Sequence, residues 1–170
     1  MATAYQDLRP GSALVPTTGF AQILRNMGSS GPVEWFAFDA TSPESAFWEL
    51  EPFAYPVSNP NITVDVVWGA AAATSGVVRW SAALAAITPE TDSQDPETKT
   101  YATAAVVDDT HLGTTAKRLM RATITLTGAS LDSVTAGDEA WLKISRVADH
   151  ANDTLTGKAW LHKVRFSFDY

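Results

Sequence analysis

The segment "AWLHKVRFSFDY", residues 159–170, decides how the chain is built. Taken in steps of two, Trp160, His162, Val164, Phe166, Phe168 and Tyr170 fall on one side. Lys163, Arg165, Ser167 and Asp169 fall on the other. That alternation marks a strand with one dry face and one wet face, since successive side chains of a strand point to opposite sides.

The same period runs upstream. "ITVDVVW" (62–68) places Ile62, Val64, Val66 and Trp68 together. "GVVRWSAALAAI" (76–87) sets Val78, Trp80, Ala82, Leu84 and Ala86 against Arg79 and Ser81, and its opening Gly76-Val77-Val78 favours a strand over an alanine-rich helix. "RLMRATITLTG" (118–128) and "EAWLKISRVA" (139–148) alternate in the same way, with Met120, Ala122, Ile124 and Leu126 in the first and Leu142 and Ile144 in the second. Apolar runs at 33–38 and 46–50 and the weaker "TKTYATAAVV" (98–107) bring the expected number of strands to about eight. Turn-rich connectors such as "ATSPES", "YPVSNPN" (55–61) and "TPETDSQDPE" separate them. Short strands at this spacing, with no helices between, predict an all-β protein: an antiparallel β-sandwich, jelly-roll-like.

Residues 1–33 read differently from the body at 34–170. Prolines at 10, 16 and 32 and glycines at 11, 19, 28 and 31 interrupt any long element, and only Phe20–Met27 could make a short helix, stopped by Gly28. Yet Tyr5, Leu8, Leu14, Val15, Phe20, Ile23 and Leu24 make the segment too apolar for a solvated tail. The expectation is an extended N-terminal arm lying on its own body, a neighbouring subunit or another protein, with a reach on the order of 100 Å if fully stretched.

Composition excludes several functions. A net charge of -7 argues against nucleic acid as partner. With no cysteine there is neither a disulfide framework nor thiolate chemistry. No apolar run is long enough to span a membrane, and "MATAYQDLRPGSAL" lacks a basic leader and an apolar stretch, so no secretory signal is expected. The charged fraction, 18%, is low against a usual value of about 25%, which suits a surface partly covered in an assembly.

Three stretches hold candidate chemistry. "VVDDTHLGTTAKRL" (106–119) holds Asp108, Asp109 and His111. Zinc would want a further His or Cys close by, and the Gly-Thr-Thr run lacks the spacing of a phosphate loop, so the stretch is read as a loop between strands. "VADHANDTLTG" (147–157), with Asp149, His150, Asn152 and Asp153, reads as a long polar connection. Glu44, Glu49 and Glu51 beside Trp48 could supply hydrolytic carboxylates only across a cleft. No enzyme, metal or cofactor is therefore expected. Trp68, Trp80 and Trp160 fall on faces assigned to the core, and His162 shares the face of Trp160. Trp141 shares its face with Glu139, Lys143 and Ser145, so it points outward, as a sugar-stacking platform or an interface anchor would. Trp35, in the doubly apolar "VEWFAF" (33–38), is the other anchor candidate.

From about residue 62 to the end the chain resembles a domain recurring in structural proteins of tailed bacteriophages. The points of similarity are "GVVRW", "DSQDPE", "VVDDTHLGTT", "AGDEAWLKISR", "ANDTLTGKAWL" and the aromatic C-terminal strand. The resemblance implies a virion component, made in the host bacterial cytoplasm, and carries no catalytic residues. With the arm, it points first to a capsid decoration or cement protein on the outer surface of the head. Such a protein would be a homo-oligomer, with a trimer the expected number, clamping the major capsid protein. The alternative is a receptor- or carbohydrate-binding module of a tail fibre or tail tip.

Overall fold

The computed structural model describes residues 2–51, 53 and 61–170; the connector expected at 55–61 lies, Asn61 apart, outside them. Among these residues ten strands form: β1 (Thr3–Leu8), β2 (Gln22–Gly28), β3 (Gly31–Phe38), β4 (Glu44–Leu50), β5 (Asn61–Ala70), β6 (Ser75–Ile87), β7 (Ala105–Leu112), β8 (Met120–Thr127), β9 (Glu139–Arg146) and β10 (Ala159–Asp169). They make two antiparallel sheets. The larger runs β2-β3-β10-β5-β8, with β1 also paired to β10, and the smaller runs β4-β9-β6-β7. The fold is the expected β-sandwich.

The dry faces meet between the sheets. Ile62, Val64, Val66 and Trp68 of β5, Ala122, Ile124 and Leu126 of β8, Leu142 and Ile144 of β9, and Val78, Trp80, Ala82, Leu84 and Ala86 of β6 are all buried there. Aromatic rings lock edge to face at the centre, Phe38 on Trp80 at 5.1 Å and Phe36 on Trp48 at 5.8 Å. The outward residues of β6 are buried too, because Ser81, Ala83 and Ala85 are small enough for the 88–104 connection to lie on them, with Ala102 N–H bonded to the Leu84 carbonyl at 2.8 Å.

Four expectations change. The leading segment is not a free arm: β1 pairs with β10 from Thr3↔Asp169 to Leu8↔Val164, and the short helix expected at Phe20–Met27 is instead edge strand β2, paired to β3. Between them the chain follows β4, with Leu14 bridged to Phe47 and Phe20 to Ser45, and the Arg9 carbonyl accepts the buried indole N–H of Trp48 at 2.9 Å. Of the arm's options, the segment lies on its own body, because sheet edges there need partners for their backbone groups. Second, Asp108, Asp109 and His111 are in strand β7, not in a loop; the turn comes afterwards, where Gly113, Thr114 and Lys117 have positive φ. Third, the strand expected at 98–107 begins only at Ala105.

Fourth, Trp160 and His162 do not face the core. A β-bulge between Leu161 and Lys163 inserts one residue against β5, so Leu161 stays opposite Trp68 while Lys163 meets Val67. An extra residue reverses the side on which each neighbour points. Val164 and Phe166 beyond the bulge are buried as the alternation requires, whereas Trp160 lies on the outer face of the larger sheet, its ring 5.9 Å from Trp35.

Candidate functional site

The outer face of the smaller sheet carries a groove. Strand register lays its floor. Trp141 on β9 stands between Glu49 of β4 and Ala85 of β6, and in the next row Lys143 stands between Phe47 and Ala83. The two alanines leave space above the sheet that larger side chains would fill. One wall is the segment Leu14–Pro16, held by the Leu14 N–H on the Phe47 carbonyl at 2.8 Å. The opposite wall is the returning 88–104 connection, which brings Tyr101 to 5.8 Å from the Phe47 ring and contributes Pro96, Glu97 and Lys99. The groove is open to solvent, with a volume of about 370 Å³.

Three aromatic rings and several aliphatic groups thus face a space with few polar atoms: one carboxylate, one ammonium and one phenol. Burial pushes the Tyr101 hydroxyl up to about 12, so it keeps its proton and can donate. Lys99 is held by Asp132 at 3.0 Å, and Asp132 also accepts the Ala86 N–H at 2.7 Å. The Lys143 ammonium sits 5.8 Å above the Phe47 ring. Pockets that are mostly apolar, with a few placed polar groups, are the usual form of a small-molecule site. The pattern suits a ligand with one apolar and one hydroxyl-rich aspect. Glu97 is the one carboxylate among the described lining residues, so no facing pair for glycoside hydrolysis forms in the groove.

The structure gathers some of the expected contact residues and scatters others. Leu14, Val15 and Trp141 meet in the groove. Phe20 is exposed farther along β4 and Ile23 on the edge strand. Leu24 is half-buried opposite Trp35, which is buried against Trp160 and lies 5.2 Å from His162. Tyr5 is exposed beneath the Arg165 guanidinium, 4.9 Å from its ring. Leu8 faces the core opposite Val164 in the β1–β10 pair and cannot grip a partner. Phe47, Tyr101, Glu97 and Lys99 were missed. Only the chain's return across the sheet unites them, and no local spacing signals it.

Most of the residues that could have been metal or catalytic groups have structural partners; Glu49, Glu51 and Asp149 form no ion pair among the described residues. Asp108 holds Arg79 through both oxygens, at 2.9 and 3.0 Å, and accepts from the Asn152 amide at 2.6 Å. Asp109 accepts the Trp68 indole N–H. His111 is fully buried, its Nδ1 2.8 Å from the Thr74 carbonyl. Asp153 clamps Arg146, and the His150 ring accepts the Asn152 N–H at 3.1 Å. Glu44 accepts the Asp39 N–H at 2.7 Å, and burial is the main reason its carboxyl lies above the ordinary range. Among the described residues no group of three His, Asp or Glu is placed to hold a metal ion.

No family model matches this sequence, and no curated protein matches it. Solved structures do share its architecture. The CBM22-2 xylan-binding domain from Paenibacillus barcinonensis Xyn10C superposes with a TM-score of 0.52 at 11% identity, over 96% of this chain and 99% of that one. TmCBM27, a carbohydrate-binding module studied for specific mannan recognition, gives 0.51 at 8% identity over the whole of both chains. At such identities the likeness is one of fold: a β-sandwich shared with carbohydrate-binding modules.

Proposed function

We propose that this protein is a non-catalytic carbohydrate-binding module whose ligand, a sugar chain, lies in the groove of Trp141, Phe47 and Tyr101. The observation that carries the reading is the groove itself. A pyranose has an apolar C–H face that packs on an aromatic ring and a rim of hydroxyls that needs donors and acceptors, and the groove offers both. The fold supports it, since similar sandwiches are described as xylan-binding and as recognising mannan. The resemblance of residues 62–170 to phage structural proteins supports a place at a tail fibre or tail tip, where the module would meet glycans of a bacterial surface. A capsid-clamping role would need a free arm, and β1 and β2 are strands of the body's own sheet.

The test is a glycan array followed by titration calorimetry of the best ligand. Trp141→Ala lowers affinity about tenfold or more while the melting temperature stays near that of the parent, since Trp141 is only half-buried and outside the core. A Trp141→Ala protein that binds its sugar unchanged, or a parent that binds no glycan, overturns the reading.

A further inference from the structure

Carboxylates outside any ion pair stand in and beside the groove. On one side the 88–104 connection carries Glu90, Asp92, Asp95 and Glu97. Glu97 lines the groove itself, and Asp95 lines an adjoining polar hollow that shares Lys99 with it. On the other side Glu49 stands opposite Trp141, and Glu139 lies two residues from Trp141 on the same face of β9; with Glu51 they line a hollow of about 310 Å³. Among the described residues none of these seven carboxylates makes an ion pair, whereas Asp7, Glu34, Asp65, Asp108, Asp132 and Asp153 all do. Lys99 does not offset them, because Asp132 already holds it. The other ammonium at the floor, Lys143 over the Phe47 ring, keeps its charge and offsets one of the seven, which leaves the surround strongly negative.

Resting on the carbohydrate reading, we propose that the groove selects among sugars by charge. It takes chains bearing free amines in preference to neutral ones, and rejects chains of uronic or sialic acids. Aromatic stacking is indifferent to ligand charge, so it supplies the common affinity. The field of the surrounding carboxylates supplies the discrimination, since a cleft lined by one sign of charge concentrates ligands of the other. A chain long enough to leave the groove past Lys99 brings its next unit against Asp95, which extends the same preference along the ligand. Because these carboxylates are exposed, Glu139 being half-buried, the effect depends on ionic strength and fades once the Debye length drops below about 10 Å.

The experiment is an array spanning neutral, amine-bearing and acidic glycans, probed with the full chain near pH 6 at low and high salt, then calorimetry on a matched pair differing only in N-acetylation. The amine-bearing member is expected to bind about fivefold more tightly at low salt and within about twofold at high salt, with no signal from uronic or sialic acid chains. The double variant Glu51→Gln, Glu139→Gln narrows the preference for the amine. Acidic chains binding as well as neutral ones, or equal affinity for the matched pair at low salt, overturns charge selection and leaves the carbohydrate reading standing. Silence across the whole array overturns both.

Discussion

The indole nitrogen of Trp68 donates a 2.7 Å hydrogen bond to Oδ2 of Asp109, tying β5 of the larger sheet to β7 of the smaller. Trp68 is fully buried, so its N–H has no recourse to water if the acceptor is lost. Asp109→Ala is therefore expected to lower stability by about 1–3 kcal/mol, the range for an orphaned buried donor. Asp109→Asn keeps a carbonyl oxygen in place and loses less. Urea unfolding followed by Trp fluorescence measures both; an alanine variant with the parental midpoint would show that the bond does not hold the sheets together.

Arg146 and Asp153 form an ion pair whose side chains are 0% and 1% exposed, at 2.7 Å. Arg146 also donates to the carbonyls of Leu155 and Gly157, and Asp153 accepts the Arg79 N–H, so one guanidinium fastens the 147–158 connection to the end of the smaller sheet. Asp153→Ala leaves a buried cation unpaired and is expected to cost about 3–5 kcal/mol. Asp153→Asn, which restores the acceptor without the charge, should recover part of that loss. Calorimetric melting that shows the alanine variant within a degree of the parent would contradict this account.

Gly76 of β6 lies beneath the same connection. A Cβ there would sit 2.8 Å from the Leu155 Cα and 3.1 Å from its backbone nitrogen. Backbone cannot swing aside as a side-chain tip can, so Gly76→Ala is expected to destabilise by about 1–3 kcal/mol through overpacking. Its melting temperature, compared with that of Gly157→Ala, where a Cβ meets nothing within 4 Å, isolates the contact from the general effect of replacing glycine.

Period two made β5, β6, β8 and β9 legible because their register with one another runs unbroken and the opposite sheet buries one side of each. It misplaced Trp160 and His162 because a bulge is a geometric event at one residue, and "AWLHKV" alternates no differently from an unbulged strand. β1 and β2 were hidden by the prolines and glycines around them, and β1 also by its partner's distance along the chain, as with Leu8 and Val164. The polar Asp108-Asp109-Thr110-His111 masked β7, an edge strand. Of the groove, Trp141 was legible from its parity with Lys143, and Leu14 and Val15 from the apolar character of the leading segment. Phe47 and Tyr101 belong to it through sheet register and a long return, neither of which leaves a local mark.

The junction of β1 with β10 predicts an acid response. β10 leaves β3 at Leu161 and takes up β1 at Val164, with the bulged His162 between them. Its Nδ1 is buried without a partner; burial above all, then the nearby Arg9 and Lys163, hold the imidazole below its ordinary value, against the Glu34 backbone, while the Glu34 carboxylate is engaged by Arg25. The unfolded chain takes up this proton near pH 6.5 and the folded chain only lower. The unfolded state thus binds more protons in that window, and stability falls as pH drops below about 6.5. Asp7 adds a second step. Held chiefly by Arg165, with Lys163 assisting, its carboxyl is lowered from 3.8 to about 2, so its contribution is complete above 3.8 and lost on acidification towards 2. Its side chain is 31% exposed, which screens the pair and keeps that step shallow. Hydrogen exchange of the amides of residues 3–8 should therefore quicken, relative to intrinsic rates, first as the pH drops below about 6.5 and again below 4. His162→Gln removes the first step and Asp7→Asn the second. Protection that stays level from pH 7 to 5 in the parent would show that the imidazole does not govern how β1 is held.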